Sequence, residues 1–360
     1  MRIEFDADRW KAVTRNYGAW WNGELERPLI PLVIRNRDPG RPRPDAPLLT
    51  QATCADLGIP AEHLIDRIDY ELSCCSFLGD AFPFVGMACF GPGVLAAFLG
   101  ARLDNSTGRV WFHPPAELDI RDIHFTFNSD NIWFRRIRDI YAAGMRRWQG
   151  QVLMGMTDMG GVLDVLSTFR PSDKLLLDLY DHPDEVTRLA WELHDAWFTC
   201  YEALNDVLQP HNPGYSDWSG IYSDRPSYIP QCDFCYMIGP DMFDAFVKPE
   251  LAATCRRLPN TIYHLDGTGQ LPHLESILSI ADLKGVQWVP GTGKPDCSNW
   301  PEVYRRIRDA GKLIQLYGDF DVLDAVSAQL GSARGIHLKD AVASDRESAI
   351  RNLAMHGIDN

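Results

Sequence analysis

No stretch of this 360-residue chain approaches the roughly twenty consecutive apolar residues that a membrane span requires. The opening Met-Arg-Ile-Glu-Phe-Asp has no apolar segment and no cleavage site, so no secretory signal is expected. Positive charge is short as well: 35 Lys and Arg stand against 49 Asp and Glu, a formal charge of −14. That field repels nucleic acid and anionic membranes, and disfavours a highly anionic substrate unless a local basic pocket overrides it. Nine cysteines, an odd number scattered through a large chain, lack the density of a disulfide framework and read as reduced thiols of a cytoplasmic enzyme. Linkers, low-complexity tracts and short-period repeats are also missing, which favours one domain over residues 1–360. Gly291-Thr292-Gly293-Lys294 lacks the spacing of a phosphate loop and the Ser or Thr that should follow its lysine, so no nucleotide is expected.

What the chain does contain is an alternation of apolar strands and amphipathic helices. Residues 7–21 read as a helix, 28–34 as a strand, and Pro39, Pro42, Pro44 and Pro47 mark a surface loop. A helix is expected over 61–78, a short one over 94–99, and a hairpin arm over 109–113. A long helix over 129–148 then leads into a strand over 151–156. Helices follow at about 162, 171–179 and 183–207. A strand is expected over 229–237 with Gln231, Asp233 and Cys235 on one face, then one helix over 240–257. From there strands at 261–266, 285–289, 312–317 and 335–338 alternate with helices at 299–310, 321–330 and 341–354. This is a parallel α/β pattern, in which chemistry gathers at the C-terminal ends of the strands.

The stretch Thr261-Ile262-Tyr263-His264-Leu265-Asp266-Gly267 carries the strongest candidate. Alternate strand residues face one way, so His264 and Asp266 can point together beyond the strand end. Imidazole beside carboxylate can ligate a divalent metal, zinc first, or act as an acid–base pair. The plain alternative is a strand-end histidine bonded to a neighbouring loop. Gln231 and Asp233 on an adjacent strand can add hydrogen bonds or a third oxygen ligand, or form an interior polar network. Asp80 and Asp158 each adjoin a glycine-containing turn where a carboxylate can meet substrate or cap a turn. Trp218, Tyr263 and Trp288 are candidates for an aromatic wall or for plain core. Cys232-x-x-Cys235 is a lone pair whose members face opposite sides of an extended strand, and reads as two separate buried thiols. His337 ends the last strand and can face the mouth.

Several phrases taken together and in order resemble the uroporphyrinogen decarboxylase superfamily, which also holds methyltransferases working between corrinoid proteins and thiols. They are Trp21-Asn22-Gly23-Glu24 with Arg27-Pro28-Leu29, Gly79-Asp80-Ala81-Phe82-Pro83, Leu175-Leu176-Leu177-Asp178-Leu179 before Pro183, Gln231-Cys232-Asp233-Phe234 before Met242-Phe243, Tyr263-His264-Leu265-Asp266-Gly267 and Gln287-Trp288-Val289-Pro290-Gly291. The resemblance implies a distorted (β/α)8 TIM-like barrel with a deep cleft at the C-terminal strand ends, preceded by an N-terminal helical extension and first strand over 1–60. It also places Asp80 near the position of the decarboxylase branch's essential aspartate. The chain departs from both branches. Leu-Ile-Pro-Leu-Val-Ile-Arg (29–35) follows Arg27-Pro28 where the decarboxylase branch has a glycine-linked arginine pair. Asp266 stands where the methyltransferase branch has the cysteine of His-x-Cys, and no cysteine follows Cys297 to complete its zinc site.

The expectation is therefore an enzyme acting on a small organic substrate, by methyl transfer or demethylation, with a corrinoid protein as partner. His264, Asp266, Asp80 and Asp233 are its catalytic candidates. Gln231, Trp288, Trp218, Tyr263 and Asp158 are its substrate contacts, and His264 and Asp266 its metal ligands. A metal-independent decarboxylase or lyase using Asp80, Asp233 or Asp266 is the alternative, and a non-catalytic binding barrel a third.

Overall fold

The computed structural model describes residues 3–359. Helix α1 (Ala7–Trp21) is capped by the Asp6 carboxylate, which accepts the Arg9 N–H at 2.9 Å, and it buries Val13, Tyr17, Trp20 and Trp21 on one face. Strand β1 (Pro31–Arg35) follows. Helix α2 (Ala61–Ser73) is shorter than its periodicity suggests. The residues expected to continue it form β2 (Cys75–Gly79), paired antiparallel to β1 from Pro31↔Gly79 to Arg35↔Cys75. Backbone pairing that buries Phe77 and Leu78 overrides the local helical spacing. Strand β3 (Phe84–Val85) and short helix α3 (Leu95–Phe98) lead to a hairpin of β4 (Arg102–Asp104) and β5 (Trp111–His113).

Helix α4 (Ile132–Trp148) starts at its Asn131 cap, whose side chain accepts the N–H groups of Trp133 and Phe134. Strand β6 (Leu153–Met154) pairs parallel with β3. Helices α5 (Val162–Phe169), α6 (Ser172–Asp181) and α7 (Pro183–Leu208) precede β7 (Ser227–Tyr228). The strand expected to reach residue 237 stops early. Pro230 cannot donate to a ladder, and Asp233–Met237 coil into a 3-10 helix. The helix expected over 240–257 is two, α8 (Pro240–Phe246) and α9 (Lys248–Arg257), with the junction at Val247 and Pro249 in the first turn of the second.

The remaining elements follow the expected alternation: β8 (Asn260–Asp266), α10 (Leu274–Leu278), β9 (Gly285–Val289), α11 (Pro301–Asp309), β10 (Leu313–Tyr317), α12 (Phe320–Leu330), β11 (Ile336–Lys339) and α13 (Arg346–Met355). Five of the strands form a parallel sheet in the order β11-β10-β9-β8-β7, and most of their residues are buried. At its β11 edge Leu29 adds a parallel bridge to His337, through Leu29 N–H to the Ile336 carbonyl and Leu338 N–H to the Leu29 carbonyl, both 2.9 Å.

The ladders stop short of a closed eight-stranded barrel among the described residues. The β3–β6 pair stands outside the five-stranded sheet, and Met156 N–H to the Ser216 carbonyl (2.7 Å) links β6 onward to an irregular segment rather than a strand. Pro28 and Pro31 flank Leu29, so the bridge there cannot extend as a regular ladder. No helix among the described residues is long and apolar enough to cross a membrane.

Candidate metal and substrate site

Strand β8 sends alternate side chains to opposite faces. Tyr263 and Leu265 are fully buried on one side, while His264 and Asp266 face the other at the strand's end. His264 Nε2 lies 3.9 Å from Asp266 Oδ2. Gly267 follows with φ +82, a left-handed conformation that turns the chain away directly after the carboxylate.

Asp233 joins this pair by a route the strand expectation did not contain. The parallel bridge of Gln231 to His264, with His264 N–H to the Pro230 carbonyl at 2.9 Å, places the chain beside β8. The 3-10 turn then swings Asp233 over the strand end. The Asp164 carboxylate, in the first turn of α5, holds that turn by accepting the N–H of Asp233 (3.0 Å) and of Phe234 (2.7 Å). Gly161 permits this approach, because a β-carbon there would overlap the Gln231 carbonyl oxygen. One ligating atom each from Asp233, His264 and Asp266 lies within 4.8 Å of the others.

Asp233 borders two openings. One, of about 480 Å³, is also lined by Arg109, Trp111, Phe112, Asp164, Gln231 and Met237. The other, of about 390 Å³, includes Asp266, Gln270, Gly291 and Lys294. Desolvation in the cleft, followed by the charges of Asp164, Asp266 and Asp158, pushes the Asp233 carboxyl up to about 7. Burial lowers His264 from the usual imidazole range, against the opposing pull of Asp266 and the Gln287 hydrogen bond.

The imidazole is fixed from behind. His264 Nδ1 is bonded to Gln287 Oε1, Gln287 Nε2 donates to Gln315 Oε1, and Gln315 Nε2 donates to the Ser219 carbonyl at 3.0 Å and to His337 Nδ1 at 3.2 Å. These four side chains stand in register across β8, β9, β10 and β11. With Nδ1 engaged, Nε2 is left facing the Asp266 carboxylate. The Trp218 ring meets His264 edge-on with centroids 4.8 Å apart. Lys339 Nζ, held to the Trp218 carbonyl at 2.9 Å, adds a cation nearby that burial draws below the usual lysine range.

Among the sequence-derived candidates, His264, Asp266, Asp233, Gln231 and Trp218 come together. Asp158 sits behind the cleft in a buried turn. It accepts the Gly160 N–H (3.1 Å) and the Tyr228 hydroxyl (3.4 Å), and burial raises it to about 6. Asp80 does not belong here. It is buried in a two-point ion pair with Arg27 (2.7 and 2.9 Å), accepts the Ile30 N–H and Asn16 Nδ2 at 3.0 Å each, and lines a separate cavity.

Trp288 and Tyr263 are core rather than wall, since both occupy the face of their strand opposite to Gln287 and His264. The Trp288 ring packs against Trp300, and the Tyr263 hydroxyl donates to Gln270 Oε1 at 3.3 Å. His337 ends the buried row and does not reach the mouth. Cys232 and Cys235 do meet, because the segment turns, yet both are buried and neither joins the ligand group.

Sequence reading overlooked Gln287, Gln315 and Asp164. A glutamine at the same depth of two apolar strands, Gly-Val-Gln-Trp-Val and Leu-Ile-Gln-Leu-Tyr, was the available signal.

No family model matches the chain, and no curated protein matches it by sequence. A solved structure of a methyltransferase from Methanosarcina mazei is similar to it, with a TM-score of 0.56 at 13% identity, covering 88% of this chain and 95% of that one. At this identity the likeness is one of fold: a mixed α/β protein of the architecture that methyltransferase uses.

Proposed function

We propose that this chain is an enzyme of the uroporphyrinogen decarboxylase-like superfamily with a distorted (β/α)8 barrel, moving a methyl group to or from a small organic substrate. Asp233, His264 and Asp266 would hold a divalent metal in it. The observation that carries this reading is the convergence of those three ligating groups within 4.8 Å at a strand end, beside an opening that Asp233 and Asp266 line. That the structural neighbour is a methyltransferase supports methyl transfer over other reactions on such a scaffold.

One imidazole and two carboxylates fit the group: they suit zinc, and suit manganese or iron(II) equally well. A bound ion would act as a Lewis acid toward the substrate atom that gains or loses the methyl group. The protein's own part is to bind and orient. Gln231 and the Trp218 ring border the position beside His264, and Asp164 keeps Asp233 in place through its two backbone bonds. A corrinoid protein is the proposed partner in the transfer.

Metal analysis of protein purified without chelator, with cob(I)alamin methylation by small methylated substrates followed by absorbance, tests this. Bound metal in the wild type and its loss in His264→Ala and Asp266→Asn, together with loss of transfer, is expected. Absence of metal in all three, with unchanged ligand binding, overturns it.

The near-neutral carboxyl of Asp233 favours one second reading, a metal-independent lyase or decarboxylase with Asp233 as general acid. That enzyme would turn over in EDTA and lose activity in Asp233→Asn.

A further inference from the structure

The row of side chains behind His264 has a direction, and a backbone atom sets it. A carbonyl oxygen can only accept, so the Gln315 side chain must turn its NH2 group toward Ser219 O, 3.0 Å away. Its second N–H faces His337 Nδ1 at 3.2 Å, which must therefore carry the lone pair. Gln315 Oε1 is left facing β9 and can only accept, so Gln287 donates to it through Nε2. Gln287 Oε1 then faces His264 Nδ1 and can only accept in turn. Every member is buried or nearly so, and Gln287, Gln315 and His337 are wholly shielded, so water cannot relax the order.

We infer that Gln315 and Gln287 are positioning residues that transmit the polarity of the Ser219 carbonyl to His264, holding its imidazole as the Nδ1–H tautomer with the Nε2 lone pair aimed at Asp266 and the cleft. This inference rests on the proposed role of His264 as a ligand and extends it to two residues that touch neither metal nor substrate. Free imidazole side chains distribute between two tautomers, and only one of them offers Nε2 to a ligand. Partners of this kind behind a ligating histidine typically govern affinity 10- to 100-fold.

Two measurements on the full chain test it. Long-range ¹H–¹⁵N correlation spectra of ¹⁵N-histidine-labelled apo protein above neutral pH report the tautomer. Zinc or manganese titration by calorimetry reports the affinity. The wild type should show His264 protonated on Nδ1. Gln315→Met should mix the two forms and weaken metal about tenfold or more, although it is remote from the ligands. Gln287→Met should do the same more strongly. Gln287→Glu, which keeps the acceptor facing Nδ1, should hold the tautomer and most of the affinity.

A wild-type His264 protonated on Nε2 overturns the inference without any variant. So do unchanged spectra and affinity in a folded Gln315→Met. A wild type that takes up no metal but shows the Nδ1–H form overturns the functional reading while leaving the polarity of the row in place.

Discussion

Asp80 and Asp233 are both aspartates beside a turn, and their surroundings send them to opposite roles. Asp80 spends its oxygens on Arg27, Ile30 and Asn16, leaving nothing to offer a substrate. Asp80→Asn strands the Arg27 guanidinium, whose side chain is only 21% exposed, and should cost about 3–5 kcal/mol by the usual cost of breaking a buried pair. Chemical denaturation measures that, and metal uptake by the folded fraction should be unaltered. Asp233 keeps its carboxylate for the cleft because Asp164 bonds the backbone of the turn and not the side chain. At this scale the sequence was legible where strand parity decided the matter, at His264 and Asp266. It was silent where a partner far along the chain decided, as Arg27 does for Asp80.

Among elements, the informative miss is the strand expected over 229–237. Its apolar and polar residues alternate well enough for β structure, but Pro230 withholds a donor and Asp164, seventy residues earlier in round terms, supplies the cap that a 3-10 turn needs. Nothing local to that window announces the cap. The turn depends in turn on Gly161, where close backbone contact with Gln231 excludes any side chain. Gly161→Ala should therefore shift the Asp233 turn and weaken metal binding about tenfold, on the scale of lost supporting interactions. Calorimetric titration checks this, and a smaller effect of Gly267→Ala on affinity than on thermal stability would separate site geometry from backbone strain. The strands β8 to β11 were read correctly as strands, yet the glutamines inside two of them carried the meaning that apolar patterning hides.

Over the whole molecule, alternation of strand and helix from residue 151 onward made the parallel α/β class legible, and the five-stranded sheet follows it. Closure was not legible, because it depends on how Leu29 and the irregular segment around Ser216 meet the sheet edges. The buried row also couples fold stability to acid. Burial, with Lys339 adding to it, holds His337 down at about 3, whereas an unfolded imidazole titrates near 6.5. Between those values the unfolded chain binds the extra proton. The contribution of His337 is therefore fully present above about 6.5 and is lost as pH falls toward 3, on the order of 2 kcal/mol by pH 5. Denaturation midpoints against pH, compared with His337→Gln, should show a shallower acid slope in the variant.

The two-sided alternation of β8 sets a rule about length as well as composition. Adding or deleting a single residue between Asn260 and Tyr263 would rotate everything after it by half a turn, delivering Tyr263 and Leu265 to the cleft and sealing the imidazole and the carboxylate among the helices. That strand can therefore change length only in steps of two.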